Sequence, residues 1–208
     1  MHYGQTISPT ADAASPSTTI IAGGDVVTMD STRRVLAGGS VVIAGDVIVA
    51  VGGTTELRAA YPRATVVDAT DCVVTPGMVN AHQHLTGDPL VRSCIPDLIA
   101  SGESIFEWAV PLHAQHTADD DEVSATLAAV ECVRNGVTTV VEAGTVAHPD
   151  RVAAAMTAVG IRGTVGTWGG DIEEGPFVGT TDEVLDRQRA VVEAHPAGGL
   201  VEGWVTLV

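Results

Sequence analysis

The sequence predicts an α/β fold, a small β unit followed by repeated βα units. Three features predict it. From Val73 on, β-branched runs alternate with stretches of helical spacing, in the order strand, loop with short helices, helix, strand, helix, strand, helix, strand. Such alternation implies parallel strands joined by right-handed crossovers. Before residue 76, short β-type runs are separated mostly by glycine pairs. Between the two, His82 and His84 follow the run Val73-Val74-Thr75. Residues two apart on a strand share a face, so both imidazoles can grip one metal ion. On pattern alone the four strands fit half of a (β/α)8 barrel, and they fit a small doubly wound sheet as well.

At 208 residues the chain can bury one good core, or one domain and part of another. Aromatic residues are few, so Val, Ala, Ile and Leu must build that core. A formal charge of −16 argues against nucleic acid or an anionic membrane as partner. No apolar run reaches the roughly 18 residues of a membrane span, and residues 1–19 lack a basic-then-apolar leader pattern. Cys72, Cys94 and Cys132 are widely spaced, with no CxxC pair, which points to a reducing compartment. These features predict a soluble, cytoplasmic protein. All ten basic residues are Arg and none is Lys.

Residues 1–17 are small and polar, with Pro9 and Pro16, and read as a tail. Residues 18–75 read as a small antiparallel β unit with runs at 19–21, 26–28, 40–43, 47–51 and 65–67. Gly23-Gly24, Gly38-Gly39, Gly45-Asp46 and Gly52-Gly53 separate most of these runs, Gly45-Asp46 as a tight turn, and a short helix is expected near 56–61. Residues 76–208 carry the βα units. A long loop spans 85–112, with a short helix around 105–109. Thr117-Ala118-Asp119-Asp120 opens a helix as a capping box. Val123, Leu127, Val130 and Val133 recur along it at helical spacing, and Gly136 closes it. A strand at 137–142, a helix at 149–159 closed by Gly160, and a strand at 161–168 follow. After a loop at 169–179 that includes Glu173, Thr180-Thr181-Asp182-Glu183 caps a helix that runs to residue 194, and a strand is expected at 201–208.

The stretch Pro76-Gly77-Met78-Val79-Asn80-Ala81-His82-Gln83-His84-Leu85 resembles the first-strand motif of the amidohydrolase superfamily. The likeness is to the branch holding cytosine and guanine deaminases, adenosine-type deaminases and triazine hydrolases. Arg134-Asn135-Gly136-Val137-Thr138-Thr139-Val140-Val141-Glu142 resembles that branch's second barrel strand, and the glycine-rich β unit its N-terminal sandwich segment. The resemblance covers residues 19–208. It implies the N-terminal half of a (β/α)8 barrel, strands one to four, with a metal at the C-terminal strand ends. It implies His82 and His84 as ligands of one divalent metal, zinc first and iron as the alternative. It also implies two further histidines, an aspartate and a catalytic Glu or His on later strands. The histidines after the pair, His113, His116, His148 and His195, all precede their next strand and none ends one. The missing ligands and catalytic residues are therefore expected on a second polypeptide that supplies strands five to eight. The alternatives are a truncated fragment of a one-chain enzyme, a domain complete in itself, or a non-catalytic scaffold subunit.

The implied chemistry is hydrolysis of a C–N bond in a small nitrogen-containing, heterocyclic substrate by activated water. Deamination, amide or amidine cleavage and dechlorination share that activated water and differ in leaving group. A carboxylated-Lys bridge between two metals cannot come from a chain without Lys, which favours a single metal. Glu142 at the end of the second barrel strand, Trp168 at the end of the third and Trp108 in the long first loop are the candidate substrate contacts. Asp97 and Glu103 are weaker ones. Gln83 reads as structural, His113 and His116 as packing residues, and Asp119 to Glu122 as helix capping. Cys94 lacks a base partner for a nucleophilic role.

Overall fold

The computed structural model describes residues 18–172 and 174–207. The tail at 1–17, Glu173 and Val208 lie outside the described residues. The chain divides into two compact units, Met1–Pro76 and Gly77–Val208.

The first unit is a five-stranded sheet of β1 (Thr18–Val27), β2 (Val35–Ala44), β3 (Val47–Gly53), β4 (Thr65–Asp68) and β5 (Val73–Val74), with α1 (Thr54–Ala60) after β3. The order is β3-β2-β1-β4, and β5 also pairs with β1. Gly45-Asp46 makes the hairpin between β2 and β3, Ala44 pairing with Val47 and Gly45 at φ 62°. Two expectations are corrected. The sheet is mixed, because β4 and β5 run parallel to β1. The runs at 19–21 and 26–28 are one strand, because Gly23, at φ 87°, absorbs the break as a register shift rather than a turn. Ile20, Ala22 and Val42 form the small core, with Leu57 and Tyr61 packed on it.

The second unit is a four-stranded parallel sheet of β6 (Met78–Gln83), β7 (Val137–Glu142), β8 (Arg162–Val165) and β9 (Val201–Gly203), in that order. A doubly wound sheet reverses its strand order at a switch point. This one does not, and it has the sequential order of a barrel wall. Between β6 and β7 lie short helical segments at Gly87–Val91, Arg92–Cys94, α2 (Ser101–Glu103), Ser104–Ala109 and α3 (Val110–His113), then α4 (Ala118–Arg134). Next come α5 (Pro149–Val159) after β7 and α6 (Thr181–Ala194) after β8. Thr117 and Thr180 both form complete capping boxes, with Asp120 and Glu183 as the reciprocal partners. Gly160 ends α5 in the left-handed region.

Two features depart from the periodicity. On α4 the inner face is Asp121, Ser124, Ala125, Ala128, Ala129 and Cys132, while Val123, Leu127, Val130 and Val133 are exposed. The apolar stripe sits about 180° round the helix from the buried face, because small residues let α4 lie close against its neighbours. The strands expected at 161–168 and 201–208 also stop early. Past Val165 the Thr206 hydroxyl replaces the ladder, accepting from Thr167 N (3.2 Å) and donating to Thr167 O (2.7 Å). Buried Gln188 spans the same gap, donating to Thr167 O (3.0 Å) and accepting from Thr206 N (2.9 Å).

Gly163 on β8 leaves no room for a side chain, since a Cβ there would overlap the Val140 carbonyl of β7. A backbone carbonyl in a ladder cannot turn aside, so Gly163→Ala is expected to destabilise the protein by about 1–3 kcal/mol. Urea midpoints of the wild type and the variant check this, and equal midpoints refute it.

Candidate metal centre

The centre is built on a break in the β6/β7 ladder. Asn80 pairs with Val140 and Gln83 with Glu142, so β6 advances three residues while β7 advances two. Such a bulge re-aims side chains at a strand end. Asn80 brackets it, accepting from His82 N (3.2 Å) and donating to Gln83 Oε1 (2.7 Å). Just beyond, the Nε2 atoms of His82 and His84 converge to 3.1 Å, with the rings edge to face at 4.9 Å. Two nitrogens on one tetrahedral zinc stand about 3.3 Å apart, so the pair suits a metal held by both Nε2 atoms. His84 Nδ1 lies 2.8 Å from Thr145 Oγ1. A partner on the far ring nitrogen is what orients a histidine ligand. Thr145 is itself held, since buried Thr86 donates to its carbonyl (2.9 Å). Among the described residues no group of three or more His, Cys, Asp and Glu could hold a metal. A catalytic zinc takes about three protein ligands, so the histidine pair fits as part of a ligand set.

The substrate candidates fall unevenly around this point. Glu142 pairs with Gln83 at the end of β7 and is 1 % exposed. Its Oε2 accepts from Gly144 N (2.6 Å). Burial pushes its carboxyl up to about 8, against the pull of the Gly144, Ala143, Leu85 and Thr145 amides. It therefore holds the turn after β7, which carries Thr145. Trp168 is 7 % exposed, stacked on Phe177 at 4.4 Å and edge-on to His113 at 5.6 Å. Trp108, on the 104–109 segment, is 37 % exposed, and no described ring contact joins it to these residues. Asp97, Glu103 and Cys94 are exposed.

Sequence reasoning read His113 as a packing residue, which its burial bears out, but missed its place beside His84. It is 5 % exposed, and burial draws its imidazole down to about 4, with the charge of His116 next in effect. A Cβ on Gly87 would lie 3.1 Å from His84 Cβ and 3.6 Å from His113 Nε2, so the two histidines flank one glycine. The signal available was the His113/His116 spacing, which places both rings on one side of a helical turn. Asp121 was also missed. It is buried rather than capping, and both His116 and His148 bond to it.

The two shifted groups give opposite pH dependence. Between about 4 and 6.5 the unfolded chain binds a proton at His113 that the native protein does not, so stability rises with pH. Between 4.5 and about 8 the native protein holds a proton on Glu142 that the unfolded chain releases, so stability falls with pH. Above about 6.5 only the Glu142 slope remains. Glu142→Gln is expected to flatten stability between pH 6.5 and 8. Urea midpoints across that window check it, and an unchanged slope counts against the buried acid.

Comparison with known proteins gives this arrangement its context. The Amidohydrolase family model matches residues 73–206, and a model described as an imidazolonepropionase-like composite domain, bacteria, matches residues 41–64. A 5-methylthioadenosine/S-adenosylhomocysteine deaminase of Syntrophobacter fumaroxidans is 33 % identical over 151 residues, 71 % of this chain and 33 % of that protein. A 5'-deoxyadenosine deaminase of Methanosarcina barkeri is 34 % identical over 147 residues, 70 % of this chain and 32 % of its own length. Among solved structures, zinc-complexed atrazine chlorohydrolase from Arthrobacter aurescens superposes with TM-score 0.76 at 24 % identity, over 91 % of this chain and 46 % of that one. Guanine deaminase from C. acetobutylicum superposes with TM-score 0.74 at 15 % identity, over 92 % and 46 %. The chain thus spans about a third of the length of these curated relatives and under half of the solved barrels. It belongs to the amidohydrolase family and carries the N-terminal half of that family's (β/α)8 barrel.

Proposed function

We propose that the chain is the metal-gripping half of a hydrolase that cleaves a C–N bond of a small aminated heterocycle. The observation that carries this is the convergence of His82 and His84 Nε2 at 3.1 Å at the end of the first barrel strand. The relatives named above favour deamination. In that reaction water adds its hydroxyl to the ring carbon and the amino group leaves as ammonia with the balancing proton. A divalent metal, zinc by analogy with the zinc-bound neighbour, supplies the Lewis acidity that makes water nucleophilic near neutral pH.

The chain's own residues do the holding. Thr145 holds the His84 ring through Nδ1, and accepting a hydrogen bond there it leaves Nε2 to the metal. Glu142 holds the turn that carries Thr145 through Gly144 N. Trp168 and His113 pack edge-on to each other, and the buried Trp168 indole N–H, with no described hydrogen-bond partner, is an unmet donor that a substrate acceptor could take up. Trp108 stands on the long first loop as a further contact.

The remaining ligands and the proton-shuttling residue come from four further βα units on a second polypeptide. Three observations support completion from outside the described residues. β6 and β9 each have one described strand neighbour. The face of α4 at Val123, Leu127, Val130 and Val133 is apolar and exposed, and so are Leu185, Val192 and Val205 at the other end of the unit. Open sheet edges and apolar faces of this size are covered in stable proteins.

Metal analysis of the complex tests the reading. One metal equivalent per chain is expected, lost in His82→Ala and in His84→Ala together with deaminase activity. Thr145→Ala is expected to weaken metal binding about 10–100-fold, measured by competition with a chromophoric chelator. Full metal occupancy in His82→Ala would sink the assignment.

A further inference from the structure

We propose that Asp121 is a positioning residue of this site, its buried carboxylate orienting His116 and His148 through their Nδ1 atoms and thereby fixing where His113 stands beside His84. Its bearing on catalysis rests on the hydrolase reading above, while the clasp itself does not. Asp119 and Asp120 serve the start of α4 at the surface, Asp120 as the partner of Thr117 in the capping box. Asp121 follows them and turns inward, with 1 % exposure. Since the cap is already complete, its burial needs another reason.

A buried carboxylate is destabilising unless its lone pairs are met. Here His116 Nδ1 lies 3.0 Å from Oδ1, and His148 Nδ1 (2.8 Å) and His148 N (3.1 Å) lie against Oδ2. A carboxylate accepts only, so both imidazoles must carry their proton on Nδ1. The two histidines come from different places. His116 closes the long first loop, and His148 is the residue from which α5 starts. One side chain therefore ties the first loop, α4 and the β7–α5 turn together. That turn also carries Thr145, the partner of His84.

From His116 the contacts run to the neighbourhood of His84. Its ring is 5.3 Å from that of His113, and the charges of His116, Asp121 and His84 all act on His113. His113 lies across Gly87 from His84 and edge-on to Trp168, which stacks on Phe177. If His116 turns, His113 and the aromatic wall lose their stop.

Long-range 1H–15N spectra of the 15N-histidine-labelled full chain test this. In the wild type, His116 and His148 are expected to be protonated on Nδ1. Asp121→Asn offers one acceptor and one donor, so one of the two rings should move its proton to Nε2 and the His113 signals should shift. His116→Asn, whose amide N–H stands in for the Nδ1 donor, should keep the His113 signals near wild type, whereas His116→Ala should not. In the complete enzyme, Asp121→Asn and His116→Ala should lower kcat about 100-fold with metal content unchanged, and His116→Asn should restore most of it. A bare Nδ1 on either ring in the wild type overturns the proposal. So do variants that lower the melting temperature but leave the His113 signals and kcat unmoved. A wild type that binds no metal sinks the hydrolase reading alone, because the tautomers are read without metal.

Discussion

The one-residue excess between Asn80 and Gln83 is the constraint on which the histidine pair depends. A regular parallel ladder would fix the pitch of β6 against β7 residue by residue. The excess frees the backbone at Ala81 and His82, and Asn80 absorbs the amide it releases. The pair then takes its orientation from the neighbouring strand as much as from its own. Thr145 reaches His84 from the turn after β7, and Glu142 holds that turn through Gly144 N. The convergence of the two histidines is thus a property of two strands.

Close approach is the second theme. The inner face of α4 is Ala, Ser and Cys around Asp121, and the core it joins is Val and Ala with single Leu, Ile and Met side chains. Small side chains bring the helix near enough for Ser124 Oγ to donate to Thr86 O (3.0 Å), directly behind Thr145. At the other end, Gly166 and Gly169 give Thr206 the space to enter between the β8 and β9 ends. Chain packing and site geometry are set by the same small residues.

Much of this was legible in the sequence, for physical reasons that differ by element. Both capping boxes, the α5 helix with its Gly160 stop and the β7 strand are local in origin, and local chemistry decided them. The ends of β8 and β9 were not legible. They are decided by Thr206 and Gln188 bonding to Thr167, which lies 39 and 21 residues away from them in sequence. The outward turn of Val123, Leu127, Val130 and Val133 was hidden for a related reason. Periodicity reports where apolar residues lie, while the choice of inner face also weighs how closely small residues can pack. The His82/His84 pair was legible because its spacing is itself the chemistry. The inward Asp121 was not, because among four consecutive acids nothing local distinguishes it.

The sequential order of the parallel sheet bears on how this unit forms. Each ladder joins strands that are consecutive in sequence, β6 to β7, β7 to β8 and β8 to β9. No described strand waits for a partner across the whole unit, and the longest closure is the first, over residues 84–136 between β6 and β7. As the chain lengthens during synthesis, each new strand finds its neighbour already in place. The turn bearing Thr145 follows directly on β7, so the orientation of His84 can be set as soon as that second strand docks, well before β9 is made.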